Sequence, residues 1–487
     1  MPAAAAVGDE PLHTVAGGRS GAKGRYAMER MSALDAGFFF MEHDNVPMHV
    51  GSVAVFEGPP PAYGDVVRLL VSKLPQVPRY RQRVRTVPLH LGRPAWIDDE
   101  HFEVLYHVRH TAVPGPGGAE QLRNLAGRVF AQRLDLAKPL WEMWLVEGLQ
   151  GGRWALISKV HHCMIDGVAG WDLAAALLDA TPDAEHPELS PWIPERPPST
   201  AWMVVDGLRD ALAAPLQQLA RVPALARNLP TRQEAFDFAR GLPGTVRRLA
   251  SPAARSLNGH SGPHRRWEWT QASLNEVKLV RKAFGGTVND VVLTAVTRGF
   301  RDLLAERGDL SDTTVVRSLV PVSVRGEHER GVLNNRVSAV LVNLPVGEPN
   351  PLRRLTRLRE QMDDLKSSRQ AAGAQTLTEL AGFAAPTLLA LGSRLTFRFP
   401  QPLMQTVTTN VPGPRFPLHM LGRQLTEIHP YVPIASNIRI SVGIFSYLGQ
   451  LNFGINADFD TVPDIGVLSK GIREGVDELV ARAASAA

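Results

Sequence analysis

The chain reads as a mixed α/β protein in two halves. Strand-like and helix-like stretches alternate from about Arg25 to Glu188, and a second alternating pattern runs from about Arg266 to the end. Between them, over residues 189–264, the pattern breaks. In the first half, Met48–Phe56 (MHVGSVAVF) has the alternation and Val content of a strand. Gln121–Leu134 has helical spacing, and Leu145–Glu147 and Trp154–His161 read as strands joined at Gly151-Gly152, a hairpin. The break opens with Pro191, Pro194, Pro197 and Pro198. A region rich in Ala, Leu and Arg then runs to about Pro263, with a loop at Ser251–Ser261. It reads as a crossover linker carrying one or two amphipathic helices. In the second half, Gln271–Phe284 and Val291–Glu306 read as helices, and Val315–Val324, Val337–Pro345 and Gln405–Val411 as strands. Ile438–Phe445 and Leu451–Ala457 form a hairpin closed by Tyr447–Gln450, and Asp464–Ala484 is the last helix. No internal repeat is visible. Residues 1–24 are rich in Ala and Gly, lack the apolar stretch of a signal peptide and read as a disordered tail.

Composition narrows the function classes. Hydrophobic residues are 44% and charged residues 21% of 487, near globular averages, so a disordered or collagen-like chain is excluded. No apolar run approaches the roughly 18 uncharged residues of a membrane span. The single cysteine, Cys163, excludes a disulfide scaffold and any Cys-rich metal site. The net charge of +5 is small for the length and does not point to nucleic acid. Only 8 of the 53 basic residues are lysine, which leaves 45 arginines. An Arg-rich surface suits anionic lipid headgroups and phosphorylated cosubstrates. A cytoplasmic protein, peripheral to a membrane, is the expectation.

The sharpest motif is HHCMIDG, containing His161, His162, Asp166 and Gly167, at the end of a strand and just before a helix. Strand neighbours point to opposite faces, so the two histidines cannot both face one pocket while strand geometry holds. One should project into a cleft and the other into the structure. Gly167 permits a backbone conformation closed to other residues, and Asp166 can cap the following helix or form an ion pair that fixes the loop. One imidazole is a candidate general base. An alcohol is too weak an acid to be ionised beforehand by a group of pKa ~6.5, so proton transfer accompanies the attack of its oxygen on an acyl carbonyl. A zinc site is disfavoured because no further ligands cluster at the required spacing. A buried structural pair is the bland alternative, which the Asp-Gly and the strand-end location disfavour. Cys163 lies between apolar neighbours and reads as buried filler, not as a nucleophile.

HHCMIDG matches the HHxxxDG motif of the CoA-dependent acyltransferase superfamily. Met31–Glu42 (MSALDAGFFFME), Pro139–Leu149 (PLWEMWLVEGL), Thr287–Val292 (TVNDVV) and Thr408–Pro414 (TTNVPGP) stand around it in order. Together they resemble the bacterial wax ester synthase/diacylglycerol acyltransferase family, over about Arg25 to the C-terminus. The resemblance implies two chloramphenicol acetyltransferase-like domains, each a mixed β-sheet flanked by helices, with the site in a tunnel where they meet. Residues 25–188 and 265–487 would be those domains. It assigns the base to His162 and a structural role to His161. It makes Asp166 the partner of an arginine, for which Arg325 is the candidate. Asn289 and Asp290 begin a helix near the site. Asn289 reads equally as a hydrogen-bond donor to the reacting oxygen or as part of a helix cap. Pro139, Trp141 and Asn410 would build the fold or the pocket wall. The chain lacks a DFGWG-type element, for which LNFGIN (Leu451–Asn456) is a faint counterpart, so the lipid branch is preferred over the plant branch.

The implied activity is acyl-CoA-dependent O-acylation of diacylglycerol, or of a long-chain alcohol, by direct transfer. Acyl-CoA is the cosubstrate, and no metal or other cofactor is expected. The rivals are a condensation-type enzyme fed by a carrier protein and a non-catalytic lipid-binding protein. Two segments mix apolar residues with arginine as an interfacial segment would: Trp202–Leu229 and Pro386–Met404. They suit the inner membrane face or a lipid-droplet surface, or packing between the halves.

Overall fold

The computed structural model describes residues 28–43, 45–164, 177–209, 254–323, 337–367 and 404–486. In the first half these form β1 (Glu29–Arg30), α1 (Ala33–Met41), β2 (His49–Phe56), α2 (Tyr63–Lys73), β3 (Gln82–Arg85), β4 (Ala95–Asp98), α3 (Val104–His107), β5 (Val108–Ala112), α4 (Ala119–Ala131), β6 (Trp141–Glu147) and β7 (Trp154–His161). The second half holds β8 (Arg265–Ser273), α5 (Leu274–Phe284), α6 (Val288–Glu306), β9 (Val316–Ser323), β10 (Val337–Leu344), α7 (Pro351–Ser367), β11 (Thr406–Pro412), β12 (His419–Met420), β13 (Arg423–Tyr431), β14 (Ile440–Tyr447), β15 (Gln450–Asp458) and α8 (Ile465–Ser485).

Two six-stranded mixed sheets organise the molecule, ordered β12-β13-β2-β7-β6-β5 and β10-β9-β11-β14-β15-β8, beside a small β1-β4-β3 sheet. In the first, β5 and β6 run parallel while the other pairs are antiparallel. In the second, β11 is parallel to both β9 and β14. The linear order of the chain and the sheet order part company at β13. It lies deep in the second half, yet it pairs antiparallel with β2, from Leu425 opposite Phe56 to Tyr431 opposite Gly51. The first sheet therefore owes an arm to the second half.

Alternation along β2 explains how the first sheet is covered on both faces. Val53 and Val55 enter a core with Leu122, Val129 and Phe130 of α4. Ala54 and Phe56 enter another with Val66, Leu69 and Leu70 of α2. Each large apolar side chain so buried contributes about 1.5–3 kcal/mol. The α4 core also takes in Trp267 of β8 and Tyr431 of β13, so it runs across the boundary between halves. The second core is wrapped around α6, whose Val291, Val292, Leu293, Ala295, Val296 and Phe300 are all fully buried.

The hairpins β6–β7 and β14–β15 stand where the sequence places them, with β6 reaching back to Trp141. One helix expectation needs correction. Gln271, Ala272 and Ser273 end strand β8, and the helix begins at Leu274 with Ser273 as its cap. The Ser273 side chain accepts from Asn275 N while Glu276 reaches back to Ser273 N, a capping box that fixes the start. Within the Trp202–Leu229 segment, residues 202–209 are helical; Met203 is buried against Val87 and Ala95, while Val205 and Leu208 are exposed. The rest of that segment, residues 386–403 of the other and residues 1–24 lie outside the described residues. No helix among the described residues is long and apolar enough to cross a membrane.

Candidate active site

Strand β7 delivers the histidines. It ends at His161, and His162 opens a short 3-10 turn, His162–Met164. The parity expectation is thereby met with a change of backbone at the point of interest. His161 is fully buried and His162 is half-buried. Three backbone bonds hold the pair. His161 N donates to Leu140 O at 2.9 Å, His162 N donates to Met48 O at 2.8 Å, and Cys163 N donates to His161 Nδ1 at 3.1 Å. The first of these is what the Pro139–Trp141 element does for the site.

Helix α1 lies over the turn. Ser32 caps it by accepting from Asp35 N at 3.1 Å. Its Phe38 ring stacks on His162, centroids 4.0 Å apart and planes 23° apart. Phe40 enters a core with Leu134, Leu140 and Cys163. The helix ends at Glu42, whose side chain is only 1% exposed although it bears a charge. Its Oε2 accepts from Met48 N at 2.9 Å and lies 3.2 Å from His161 Nε2, in a contact bent from a linear hydrogen bond. Its Oε1 pairs with Arg133 at 3.3 Å. Beyond Glu42 the chain touches the second half. Ser436 Oγ lies 3.3 Å from His43 Nε2, Asn45 Nδ2 lies 3.3 Å from His260 Nε2, and Arg265 donates to Asn45 O. The histidine turn thus sits beside the seam.

Electrostatics separate the groups. Burial pushes His162 down from 6.5 to about 4; a bond to its own backbone opposes this, and the nearby His161 adds to it. His162 Nδ1 is sealed from solvent with no partner among the described residues. Its ring is neutral at physiological pH, as a general base must be. Burial pushes the Cys163 thiol well above its usual range, and Asp35 and Glu42 add to this, so it stays un-ionised. Burial also pushes the Glu42 carboxyl up, but the contact with His161 and the Met48 amide outweigh it and hold the group at about 2.

The remaining candidates fall in three places. Asn289 and Asn410 meet on the second sheet's side, with Asn410 Nδ2 donating to Asn289 Oδ1 at 3.4 Å. That orientation leaves the Asn289 amide N–H groups for another acceptor. The helix-cap reading holds for Asp290 and not for Asn289. Thr287 is the N-cap of α6, and Asp290 closes the capping box by accepting from Thr287 N at 2.7 Å and Thr287 Oγ1 at 2.8 Å. Trp141 is core, not pocket wall. It is fully buried, its Nε1 donates to Tyr80 O at 2.8 Å, and it stacks on His107 at 4.5 Å. Pro139 is buried beside it. Asp166, Gly167 and Arg325 lie outside the described residues. Among the described residues no three His, Cys, Asp or Glu side chains are grouped as metal ligands.

Sequence reasoning named Phe38 only as apolar channel material and gave Glu42 no role of its own. A lone carboxylate closing the apolar run FFFM was the available signal, because an ionised side chain is rarely fully buried without partners.

Comparison with known proteins bears on the family and the fold. Residues 31–292 match the model of the wax ester synthase/diacylglycerol acyltransferase catalytic domain, and residues 333–480 that of its C-terminal domain. The chain is 37% identical over 461 residues to a protein of Mycobacterium tuberculosis named a probable diacylglycerol O-acyltransferase, tgs1, covering 93% of this chain and 96% of that one. A second such protein from that organism, tgs2, is 32% identical over 467 residues, covering 93% of this chain and 99% of that one. Among solved structures, the wax ester synthase/diacylglycerol acyltransferase of Marinobacter aquaeolei VT8 superposes with a TM-score of 0.64 at 24% identity, over 94% of this chain and all of that one. The trichothecene 15-O-acetyltransferase TRI3 of Fusarium sporotrichioides gives 0.60 at 13% identity, over 95% and 96%. These likenesses establish the two-domain fold with its paired mixed sheets.

Proposed function

Because the chain belongs to the wax ester synthase/diacylglycerol acyltransferase family, and is therefore an acyltransferase, we propose that it esterifies diacylglycerol with the acyl group of a long-chain acyl-CoA. A long-chain alcohol is the alternative acceptor. The observation that carries the reading is the neutral, half-buried imidazole of His162 at the end of β7, beside the seam. His162 takes the acceptor's hydroxyl proton as the oxygen attacks the thioester carbon. The resulting tetrahedral oxyanion is met by an N–H of the Asn289 amide, a donor aimed at developing charge. Collapse breaks the carbon–sulfur bond, and the imidazolium returns its proton to the CoA thiolate. Asp166 and Arg325 pair to hold the loop that follows the histidines. Transfer is direct, with no acyl-enzyme and no metal or other cofactor.

The enzyme meets its lipids at the inner membrane face or at a lipid droplet, where diacylglycerol resides. The exposed Val205 and Leu208, set beside the Arg30–Asp206 pair, are in keeping with such an interfacial face.

Radiolabelled palmitoyl-CoA with a panel of acceptors, resolved by thin-layer chromatography, tests the reaction. Triacylglycerol should form without any carrier protein. His162→Ala should lower turnover by about 10²–10⁴-fold, whereas Cys163→Ser should keep most of it. Equal loss in both variants refutes the assignment of the base, and lipid binding without ester formation refutes catalysis altogether.

A further inference from the structure

We infer that Glu42 is a positioning residue of the active site, setting both the proton and the place of the histidine pair. The inference rests on the reading of His162 as the base. It starts from an oddity of burial. A carboxylate 1% exposed at the end of an apolar helix is costly unless every oxygen is used. Here each oxygen is used, and Oε2 is used twice, on His161 and on Met48. Those are the two residues from which the histidine turn is suspended.

The proton on His161 follows from its neighbours. Nδ1 accepts from Cys163 N at 3.1 Å, so it carries no hydrogen. The ring proton is on Nε2, the nitrogen facing Glu42 at 3.2 Å. The carboxylate stabilises that tautomer by charge, even though the contact is bent. With the other tautomer, Nδ1–H would point at the Cys163 N–H and the turn would open. The backbone limb runs in parallel. Glu42 Oε2 holds Met48 N, and Met48 O holds His162 N at 2.8 Å. One carboxylate thus braces the turn from both sides, and Arg133 ties down its other oxygen. The second histidine is then presented to the seam in one orientation, stacked on Phe38. Glu42 does not touch the reacting atoms in this arrangement.

The test combines kinetics with a spectroscopic readout. Nitrogen-15 NMR of histidine-labelled protein, with the His161 signal assigned through His161→Gln, should show the Nε2–H tautomer in the unmodified enzyme. Glu42→Gln keeps the shape and removes the charge. It should lower kcat by about 10–100-fold while leaving the KM for palmitoyl-CoA within about threefold, and it should mix the tautomers. Glu42→Asp, which restores the charge on a shorter arm, should recover part of kcat. Wild-type kcat in Glu42→Gln, or the Nδ1–H tautomer in the unmodified enzyme, overturns the inference. The latter needs no Glu42 variant and decides the matter even if Glu42→Gln fails to fold. His162→Ala, run alongside, separates the two readings. If it is inactive while Glu42→Gln is normal, only the positioning role falls. If it retains turnover, the base assignment falls and the positioning role with it.

Discussion

Adjacent imidazoles on one strand end meet opposite surroundings. His161 faces a buried carboxylate, while His162 faces an aromatic ring, its Nδ1 without a partner among the described residues. The difference yields a pH prediction. Because burial lowers His162 to about 4, its basic form is present at all higher pH. The acid limb of kcat/KM should fall as pH drops through about 4, not near 6.5, as read from initial rates across an acid buffer series. Stability moves in the same direction. A group with a depressed folded pKa contributes stability that is present above its unfolded pKa and lost as pH falls towards the folded one. Glu42, at about 2 against 4.5, therefore withdraws support as pH falls below about 4.5. His162, at about 4 against 6.5, does so from about 6.5 downward. Glu42→Gln should flatten the acid side of a plot of urea midpoint against pH.

Helices and strands meet most tightly where β13 crosses β15. A Cβ at Gly454 of β15 would collide with the carbonyl of Pro430 on β13, so two sheets touch there with no room for a side chain. Gly454→Ala should destabilise by about 1–3 kcal/mol, seen as a lowered urea midpoint. Gly466→Ala, at an open position in the first turn of α8, should not lower it. Most elements were legible. β2, β7, β14 and β15 carry clean alternation, and α6 is long and apolar. β13, with the sequence RQLTEIHPY, was not, because its polar residues are matched across space. Glu427 pairs with Arg153 on the far side of the chain, which no window can reveal. Helix α7 hid for a related reason. Its many charges mask the stripe of Leu355, Leu358, Met362 and Leu365 that it buries.

At the level of the molecule, the β13 arm makes the halves interdependent. Without it β2 is an open edge and Tyr431 leaves the α4 core, and a cut after residue 264 removes Trp267 of β8 as well. A fragment of residues 1–264 should therefore aggregate or stay unfolded, while the full chain unfolds in one transition by circular dichroism. A soluble fragment with a cooperative melt contradicts this dependence.

Local pattern carried the cleanly alternating strands, the long apolar helices, the two alternating halves and the histidine pair, because periodicity and residue chemistry act over a few neighbours. The family resemblance, not the pattern, drew attention to Asn289 and Asn410, though not to their meeting. What local pattern did not hold was the pairing of β13 with β2 and the brace of Glu42 on His161 and Met48. Each of these joins residues by packing and charge across distance in the chain, and such pairings exist only once the core has closed around them.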